Sequence, residues 1–381
     1  MELRLVGGKA LIAYRLNRSF AWNAAHPPTL PPRPRRLPAA PPLRLFDHAL
    51  ECPVGIAAGP LPNSRWIEAY ARLGYGLLTY KTVRTVERAA FTAPNLAFCR
   101  LGDPTVLEPA PRRLDPAAVT WAVSFGLPSA KPDLWRADVK RARGKLGPGQ
   151  ILIVSVAGTP APGGDGEQLA ADYAQAARWA AEAGADVVEV HLSCPNTVAE
   201  RPQMVFEDQA LSAHVLAKVR RAVGARPVVA KLGASRSPRV LHDLATAIAR
   251  WVDGFVLVNG LQRPVVKADG TAALPGAGRE LAGVSGDAVW DPCRVQVAEL
   301  CAWRKAGAWN KAILAVGGIT TVDRAREALA AGANAALVAT AALVDPLIAA
   351  RFRSGIKPGV EKGPDARRRP DVRVERRRMP S

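Results

Sequence analysis

The alternation of short apolar runs with Ala-rich stretches of helical spacing predicts an α/β fold, a (β/α)8 TIM barrel. Strands that alternate with helices form parallel sheets, because every parallel pairing needs a crossover connection. Eight repeats in roughly 290 residues fit a barrel better than a doubly wound sheet. The loop after the first run reads AAGPLPNS and lacks the G-x-G-x-x-G of a Rossmann fold.

Apolar and β-branched runs define eight predicted strands, and Ala-rich stretches between them define helices. The strands are Val54–Ala58, Gly76–Tyr80, Ile151–Val156, Val187–Leu192, Pro227–Leu232, Gly254–Val258, Ile313–Val316 and Ala336–Thr340. The helices are Gln168–Ala183, Ser212–Val223, Pro238–Trp251, Val295–Lys305 and Val322–Ala331. The long insertion 81–150 is predicted to be loop-rich and to lie on the catalytic side, since loops that follow strands line that face.

The flanks of the barrel carry most of the net charge of +19. Residues 1–26 are predicted to form a helical segment over Ala10–Ala25, and half of the residues from Pro27 to Pro42 are proline, so 27–44 is predicted as an extended connector. The barrel spans 45–350, and 351–381 is predicted as a basic disordered tail. Residues 1–46 and 351–381 each carry +7, so no nucleic-acid partner is expected for the barrel.

Cysteine usage predicts a reducing compartment, the cytoplasm. The five cysteines show no C-x-x-C spacing, which argues against a disulfide framework and an iron–sulfur cluster in this chain. No run approaches the ~18 consecutive apolar residues of a membrane span, and the first residues lack the pattern of a secretory signal. No metal site and no stable membrane insertion are expected.

Residues at the carboxyl ends of the predicted strands are the candidates for chemistry, because these ends meet at one mouth. Gly317, Gly318, Ala339 and Thr340 follow the last two strands, where many barrels bind a phosphate through backbone N–H groups, with the segment around Ser285 and Gly286 as a third wall. The other candidates at strand ends are Ala57, Ala58, Gly59, Lys81, Thr82, Ser155, His191, Cys194, Asn196, Lys231 and Asn259.

Seven segments in order resemble one family: CPVGIAAG, LLTYKT, VVEVHLSCPNT, VVAKLG, LAGVSG, ILAVGGI and ALVATAAL. They are similar to the dihydroorotate dehydrogenases, FMN-binding barrels of pyrimidine (UMP) biosynthesis. The resemblance covers about Leu45 to Leu347, and LSCPN is its most specific element. It implies a flavin oxidoreductase that acts on a CH–CH bond of a small dihydropyrimidine.

The resemblance also implies a role for each candidate residue. Cys194 would remove a proton from the substrate, and a thiol of ordinary pKa needs only a modest downward shift for this work; a cysteine here favours the soluble class over the quinone-using class, which has serine. Lys231 would stabilise the reduced flavin. The flavin contacts would be Ala57, Ala58, Gly59, Lys81, Thr82, Ser155, His191, Lys231 and Asn259, with Ser285, Gly286, Gly317, Gly318, Ala339 and Thr340 at the phosphate. The substrate contacts would be Lys81, Val123, Asn196 and Asn259.

Three positions depart from the family pattern and keep alternatives open. His191, Val123 and Ser155 each stand where the family has asparagine, and an unpaired buried polar group costs about 1 to 3 kcal/mol. Another dihydropyrimidine substrate, a non-catalytic FMN-binding barrel and a transfer-RNA dihydrouridine synthase are therefore alternatives. The buried lysines could instead pair with Glu189, and Cys194 could be a small buried apolar residue. A homodimer and the electron acceptor (fumarate, a partner flavoprotein or a quinone) stay open.

Overall fold

The computed structural model describes residues 12–32, 43–111, 114–159, 163–194, 203–274, 276–307 and 309–355. Within these residues the strands, in chain order, are β1 (Leu43–Leu45), β2 (His48–Leu50), β3 (Val54–Ile56), β4 (Leu77–Val83), β5 (Leu96–Arg100), β6 (Thr105–Leu107), β7 (Thr120–Val123), β8 (Ile151–Val156), β9 (Val187–His191), β10 (Val228–Lys231), β11 (Gly254–Leu257), β12 (Leu261–Arg263), β13 (Val265–Val266), β14 (Ala282–Gly286), β15 (Ala312–Val316) and β16 (Ala335–Val338).

Most helices follow a strand of the barrel, and several begin at a capping side chain. They are α1 (Phe20–Ala25), α2 (Ser64–Ala71), α3 (Pro132–Gly144), α4 (Gly166–Glu182), α5 (Gln209–Val223), α6 (Pro238–Ile248), α7 (Trp290–Lys305), α8 (Val322–Ala330), α9 (Thr340–Val344) and α10 (Ile348–Ser354). At helices α2, α4, α5, α6 and α8 the N-cap side chain accepts a hydrogen bond from the N–H three residues onward and fixes the start of the helix. These caps are Asn63, Asp165, Asp208, Ser237 and Thr321.

Eight parallel strands close into a barrel in the order β3-β4-β8-β9-β10-β11-β15-β16. The fold predicted from the sequence is therefore confirmed, and all eight predicted strands are present with small differences at their ends. The five predicted helices are present as α4, α5, α6, α7 and α8. In the register of β9 and β10, Lys231 lies beside His191, which places two candidate side chains at the same level of the barrel.

Barrel strands bury both of their faces, which explains their nearly continuous apolar sequence. One apolar cluster fills the interior with side chains such as Leu77, Ile153, Val229 and Leu337. The hairpin β1–β2 adds Leu45 and Leu50 to this cluster. The alternate residues of the strands pack outward against the helices in a second, larger cluster.

The insertion 81–150, predicted to be loop-rich, also contains strands and a helix that the sequence analysis did not predict. It contains helix α3 and the strands β5, β6 and β7, which join a six-stranded sheet in the order β12-β14-β7-β5-β6-β13. Strand β7 pairs with β14, so that Trp121 lies opposite Ser285. The sequence hides this sheet because its strands are short and the pairings of β7 with β14 and of β6 with β13 join residues far apart along the chain.

The helix predicted over Ala10–Ala25 is wrong for residues 12–19, and only Phe20–Ala25 is helical. Ser19 caps this helix by accepting a hydrogen bond from the N–H of Trp22. The buried side chain of Asn23 accepts from the N–H of Arg15 and donates to its carbonyl, which holds residues 15–19 as an irregular turn. The first residues and the core of the proline-rich connector lie outside the described residues.

The predicted tail begins too early. Helix α10 continues to Ser354, and its Arg353 is buried and donates to Glu51 at 3.1 Å. Phe352 packs into the outer apolar cluster. The barrel unit therefore extends at least to Ser354, and the predicted disorder of the later residues falls outside the described part of the chain.

Candidate active site

A cavity of about 560 Å³ lies at the carboxyl ends of the barrel strands. Two predicted residues are not part of its described wall. Ser155 is fully buried behind Thr82, whose hydroxyl lies 2.9 Å from its own, and Asn196 lies outside the described residues. The predicted residues that line the cavity are Ala57, Ala58, Gly59, Lys81, Thr82, Val123, His191, Cys194, Lys231, Asn259, Ser285, Gly286, Gly317, Gly318, Ala339 and Thr340.

The backbone after β3 leaves one face of the cavity open. Gly59 has φ +136°, and a Cβ built on it would meet no protein atom within 4 Å. A side chain there would therefore project into open space. Together with the small Ala57 and Ala58, Gly59 forms a flat surface on which a ring can lie close to the backbone.

The turn after β15 passes against the start of α7. Gly318 has φ +65°, and a Cβ on it would lie 2.3 Å from the backbone nitrogen of Trp290. Only glycine satisfies both constraints. Nearby, the hydroxyl of Thr340 is buried and has no protein partner among the described residues. This end of the cavity therefore presents an unsatisfied donor and close backbone, which suits an anion.

Cations dominate the charged groups of the cavity wall. Lys81, Arg84, Arg88 and Lys231 line it, and no carboxylate does so in the described part of the wall. Glu189 lies just below the wall and is fully buried, and Lys231 is almost fully buried. Lys231 Nζ lies 4.0 Å from Glu189 Oε1. That separation gives charge attraction without a hydrogen bond. The predicted alternative, a lysine paired with Glu189, is thus present for Lys231, although this lysine also faces the cavity.

Lys81 lies under aromatic rings. Its Nζ is 5.7 Å from the ring centroid of Phe20 and 5.5 Å from that of Phe125. Burial, followed by the nearby charges of Lys231 and Arg84, lowers the pKa of Lys81 to about 8. The aromatic faces attract the ammonium and offset part of this cost.

His191 is neutral. Burial, followed by the charge of Lys231, holds the pKa of His191 well below its usual range. Its Nδ1 is buried without a protein partner in the described part of the chain. The ring can therefore donate or accept one hydrogen bond toward a molecule in the cavity.

Cys194 lines the cavity, and its sulfur has two hydrogen-bond partners. The hydroxyl of Tyr173 lies 2.9 Å from Cys194 Sγ, and the carbonyl of His191 lies 3.3 Å from it. Burial raises the pKa of Cys194, and the hydrogen bond from Tyr173 and the charge of Arg84 reduce this rise. The modest downward shift that a base near neutral pH would need is therefore not found, because desolvation outweighs both favourable contacts.

Arg84 is a cavity residue that the sequence analysis missed. Its guanidinium is buried and donates to the carbonyls of Leu127 and Gly158 and to the hydroxyl of Thr159. Its own carbonyl accepts from Trp135. Its place three residues after Lys81, at the end of β4, was the available signal. Tyr173 was missed as well, because on an amphipathic helix it has the pattern of a core aromatic residue.

The six-stranded sheet and residues 12–26 lie over the cavity. Together they form the cover. Tyr14, Phe91, Trp121 and Phe125 contribute aromatic side chains to its inner face. Arg279 fastens it by donating to Ser124 and to the carbonyls of residues 92 and 94, and its guanidinium lies 5.3 Å from the ring centroid of Phe91.

Comparisons with known proteins agree with this architecture. A family model described as dihydroorotate dehydrogenase matches residues 108–358. The dihydroorotate dehydrogenase of Dictyostelium discoideum is 29% identical over 82% of this chain and 87% of its own length. The catalytic subunit of dihydroorotate dehydrogenase B (NAD(+)) from Desulforudis audaxviator is 31% identical, with 81% and 88% covered. The dihydroorotate dehydrogenase (quinone) of Bordetella avium is 28% identical, with 77% and 78% covered.

Proposed function

The chain belongs to the dihydroorotate dehydrogenase family, and we propose that it oxidises dihydroorotate to orotate with Cys194 as the base. Members of this family are FMN-dependent oxidoreductases that act on a CH–CH bond in pyrimidine biosynthesis. The single observation that carries the proposal is the placement of Cys194 in a cationic cavity, with its sulfur hydrogen-bonded by Tyr173.

The described residues fit an FMN molecule. The open surface at Gly59 suits a flat ring, and Lys231, on the cavity wall, would supply a cation for the negative charge that the ring gains on reduction. The unpartnered hydroxyl of Thr340 and the backbone around Gly318 suit the phosphate. When bound, FMN supplies a two-electron acceptor for the reaction.

The protein side of the reaction is a proton transfer in an enclosed space. Cys194, as thiolate, accepts the proton from one carbon of the substrate while the adjacent carbon gives up a hydride, so that a C=C bond forms. The fixed charge of Lys231 stabilises negative charge that develops nearby. Exclusion of water by the cover would strengthen these interactions. Because burial raises the pKa of Cys194, the rate should increase with pH until the thiolate is fully formed.

The test is anaerobic reduction of the bound flavin, which loses its yellow colour. Dihydroorotate should bleach the wild-type holoenzyme, and Cys194→Ala should slow bleaching by about 10²- to 10⁴-fold, the usual contribution of general base catalysis. Cys301→Ala is the matched control, because Cys301 is buried in α7 away from the cavity. An unchanged rate in Cys194→Ala would remove it from the base role, and a colourless protein that FMN cannot reconstitute would overturn the proposal.

A second substrate is favoured by two cavity residues. Val123 and His191 replace asparagines of the family pattern, and both line the cavity. An apolar group at Val123 favours a substrate with fewer polar groups, such as dihydrouracil or dihydrothymine. Bleaching by these compounds in place of dihydroorotate would assign the enzyme to them. Bound flavin that no dihydropyrimidine reduces would indicate a barrel that has kept FMN without turnover.

The cellular setting belongs to the same proposal. The five cysteines are unpaired in the structure, which supports the cytoplasm as the compartment. In the described part of the chain, no helix is both long and apolar enough to cross a membrane. The relatives include NAD(+)- and quinone-linked enzymes, so recolouring of the bleached enzyme by fumarate, a partner flavoprotein or a quinone would identify the acceptor. Size-exclusion chromatography would test for a homodimer, and no nucleic-acid partner is proposed.

A further inference from the structure

We infer that Tyr173 is a positioning residue whose hydroxyl switches its hydrogen bond between the carbonyl of His191 and the sulfur of Cys194 as the base gains and loses its proton. The inference rests on the base role proposed above for Cys194. It adds a residue on helix α4 that holds the thiolate in place and takes no part in contacts with the substrate.

Three atoms lie within contact of one another behind the cavity wall. The hydroxyl of Tyr173 lies 2.9 Å from Cys194 Sγ and 2.9 Å from the carbonyl oxygen of His191, and Cys194 Sγ lies 3.3 Å from that same oxygen. Tyr173 is fully buried. Among the described residues, its hydroxyl is the one side-chain group that hydrogen-bonds the sulfur.

The ring of Tyr173 is held in place by close packing. A Cβ on Gly158 would lie 2.5 Å from its Cδ2 atom, so the backbone after β8 passes directly over the ring. Helix α4 and strand β9 are in contact, which joins Tyr173 firmly to the strand that carries His191. The phenol oxygen therefore stays in reach of both partners. Only its hydrogen needs to move, by rotation about the C–O bond.

Counting protons shows why the set must switch. In the thiol state the three groups hold two protons: the S–H donates to the phenol oxygen, and the phenol O–H donates to the carbonyl. In the thiolate state they hold one, and the phenol O–H donates to the sulfur because a hydrogen bond to a charged acceptor is about twice as strong. When a substrate C–H bond breaks and the S–H bond forms, the phenol returns to the carbonyl. Tyr173 keeps its own proton throughout.

The surrounding charges are compatible with this assignment. Burial, followed by the neighbouring Cys194, keeps the pKa of Tyr173 well above its usual range, so it remains a donor. Arg84 faces both groups and favours their anionic forms. Asp172, beside Tyr173 on α4, accepts from Thr85 and from the N–H of Thr159 instead. His191 is neutral, and Lys81, Arg88 and Lys231 complete the charged groups of the cavity wall in the described residues.

The experiment uses the FMN-loaded enzyme and the variant Tyr173→Phe. The apparent pKa of the base, read from the pH profile of flavin bleaching by dihydroorotate, should rise by about one to two pH units, as expected for loss of one hydrogen bond to a charged group. Bleaching at neutral pH should therefore slow about 10- to 100-fold and recover at high pH. Tyr75→Phe is the matched control, because Tyr75 is equally buried and its hydroxyl donates to the carbonyl of Pro346.

A second readout needs no substrate. The ultraviolet absorbance of the Cys194 thiolate, titrated with pH and corrected with Cys194→Ser, should show the same rise in Tyr173→Phe. If dihydroorotate fails to bleach the wild type, the proposed function fails, and this titration alone still decides the role of Tyr173. If Tyr173 had a purely structural role, Tyr173→Phe would lower the stability and leave both pH curves the same as those of the wild type. That result would overturn the inference.

Fluorinated tyrosine covers the case in which Tyr173→Phe does not fold. Its more acidic hydroxyl is a stronger donor, so wild-type enzyme labelled at all five tyrosines should show a lower pKa for Cys194. Tyr173 is the one tyrosine within hydrogen-bond distance of the sulfur. An unchanged thiolate titration in labelled enzyme would contradict the switch.

Discussion

The two walls of the cavity are built on opposite principles. The strand ends of the barrel carry buried charged and polar groups, among them Lys231, Glu189 and His191. The cover contributes mainly aromatic side chains, such as Tyr14, Trp121 and Phe125. One wall therefore supplies fixed charge, and the other supplies apolar surface over it.

This difference shows where a protein can keep costly groups. A buried charge loses its hydration, and only a rigid frame with a fixed partner keeps that loss small. Parallel strands joined on both sides by backbone hydrogen bonds provide such a frame at Lys231 and His191. The cover is held by side chains such as Arg279 and acts by enclosing the cavity. Substitutions in the two walls should consequently differ in size and in pH dependence.

The largest effect is expected at the buried ion pair of the barrel wall. Lys231→Met leaves Glu189 buried without its cationic partner, which should lower the free energy of unfolding by about 3 to 5 kcal/mol. Adding Glu189→Gln should restore most of that loss. Urea unfolding of the wild type, the two single variants and the double variant would measure both effects. Arg239→Met, in the exposed pair with Asp243, should cause no measurable change. Equal losses in the single and double variants would show that the pair is not coupled.

A smaller, pH-dependent effect is expected at Lys81, which lies between the two walls. Its pKa of about 8 in the folded protein is below the ordinary 10.5, so the unfolded chain binds more protons between these values. The stability of the flavin-free protein should therefore rise with pH across this window, by up to roughly 3 kcal/mol. Lys81→Met should remove this rise. The variant should have a higher free energy of unfolding than the wild type at a pH of about 7, and this difference should shrink as the pH approaches about 10. Parallel stability curves would contradict the assignment.

The smallest effect is expected in the cover. Phe20→Leu removes one aromatic face from Lys81 and should lower the free energy of unfolding by about 0.5 to 2 kcal/mol at neutral pH, beyond the loss of apolar area. The excess should vanish above the pKa of Lys81, where the amine is neutral. Phe98→Leu is the comparison, because Phe98 packs on Trp121 in the same cover without a cation. Identical pH dependence in both variants would remove the cation–π contribution.

The barrel could be predicted because its signal is local. Each strand, such as Ile151–Val156, is buried on both faces and reads as an apolar run, and each helix shows its spacing within its own residues. The strand-end rule then placed Lys81, Cys194 and Lys231 in one cavity. The sheet of the cover escaped prediction because β7 finds its partner, β14, more than 150 residues away.

The protonation chemistry of the site also depended on the fold. Ser155 follows the strand-end rule, yet its side chain lies behind Thr82. The base role near neutral pH calls for a modest fall in the pKa of Cys194, and burial raises it. Tyr173 sits on a helix that the sequence predicts well, but nothing in the helix spacing tells that its hydroxyl reaches Cys194.

The sequence by itself determined the eight-stranded barrel, the family and the end of the barrel at which the chemistry occurs. Periodicity and motifs are properties of contiguous residues. The tertiary structure alone decided which groups are desolvated and which atoms meet: the pair of Lys231 with Glu189, the rings over Lys81 and the hydroxyl of Tyr173 on Cys194. Electrostatic energies depend on distance and burial in space, and neither can be read from spacing along the chain.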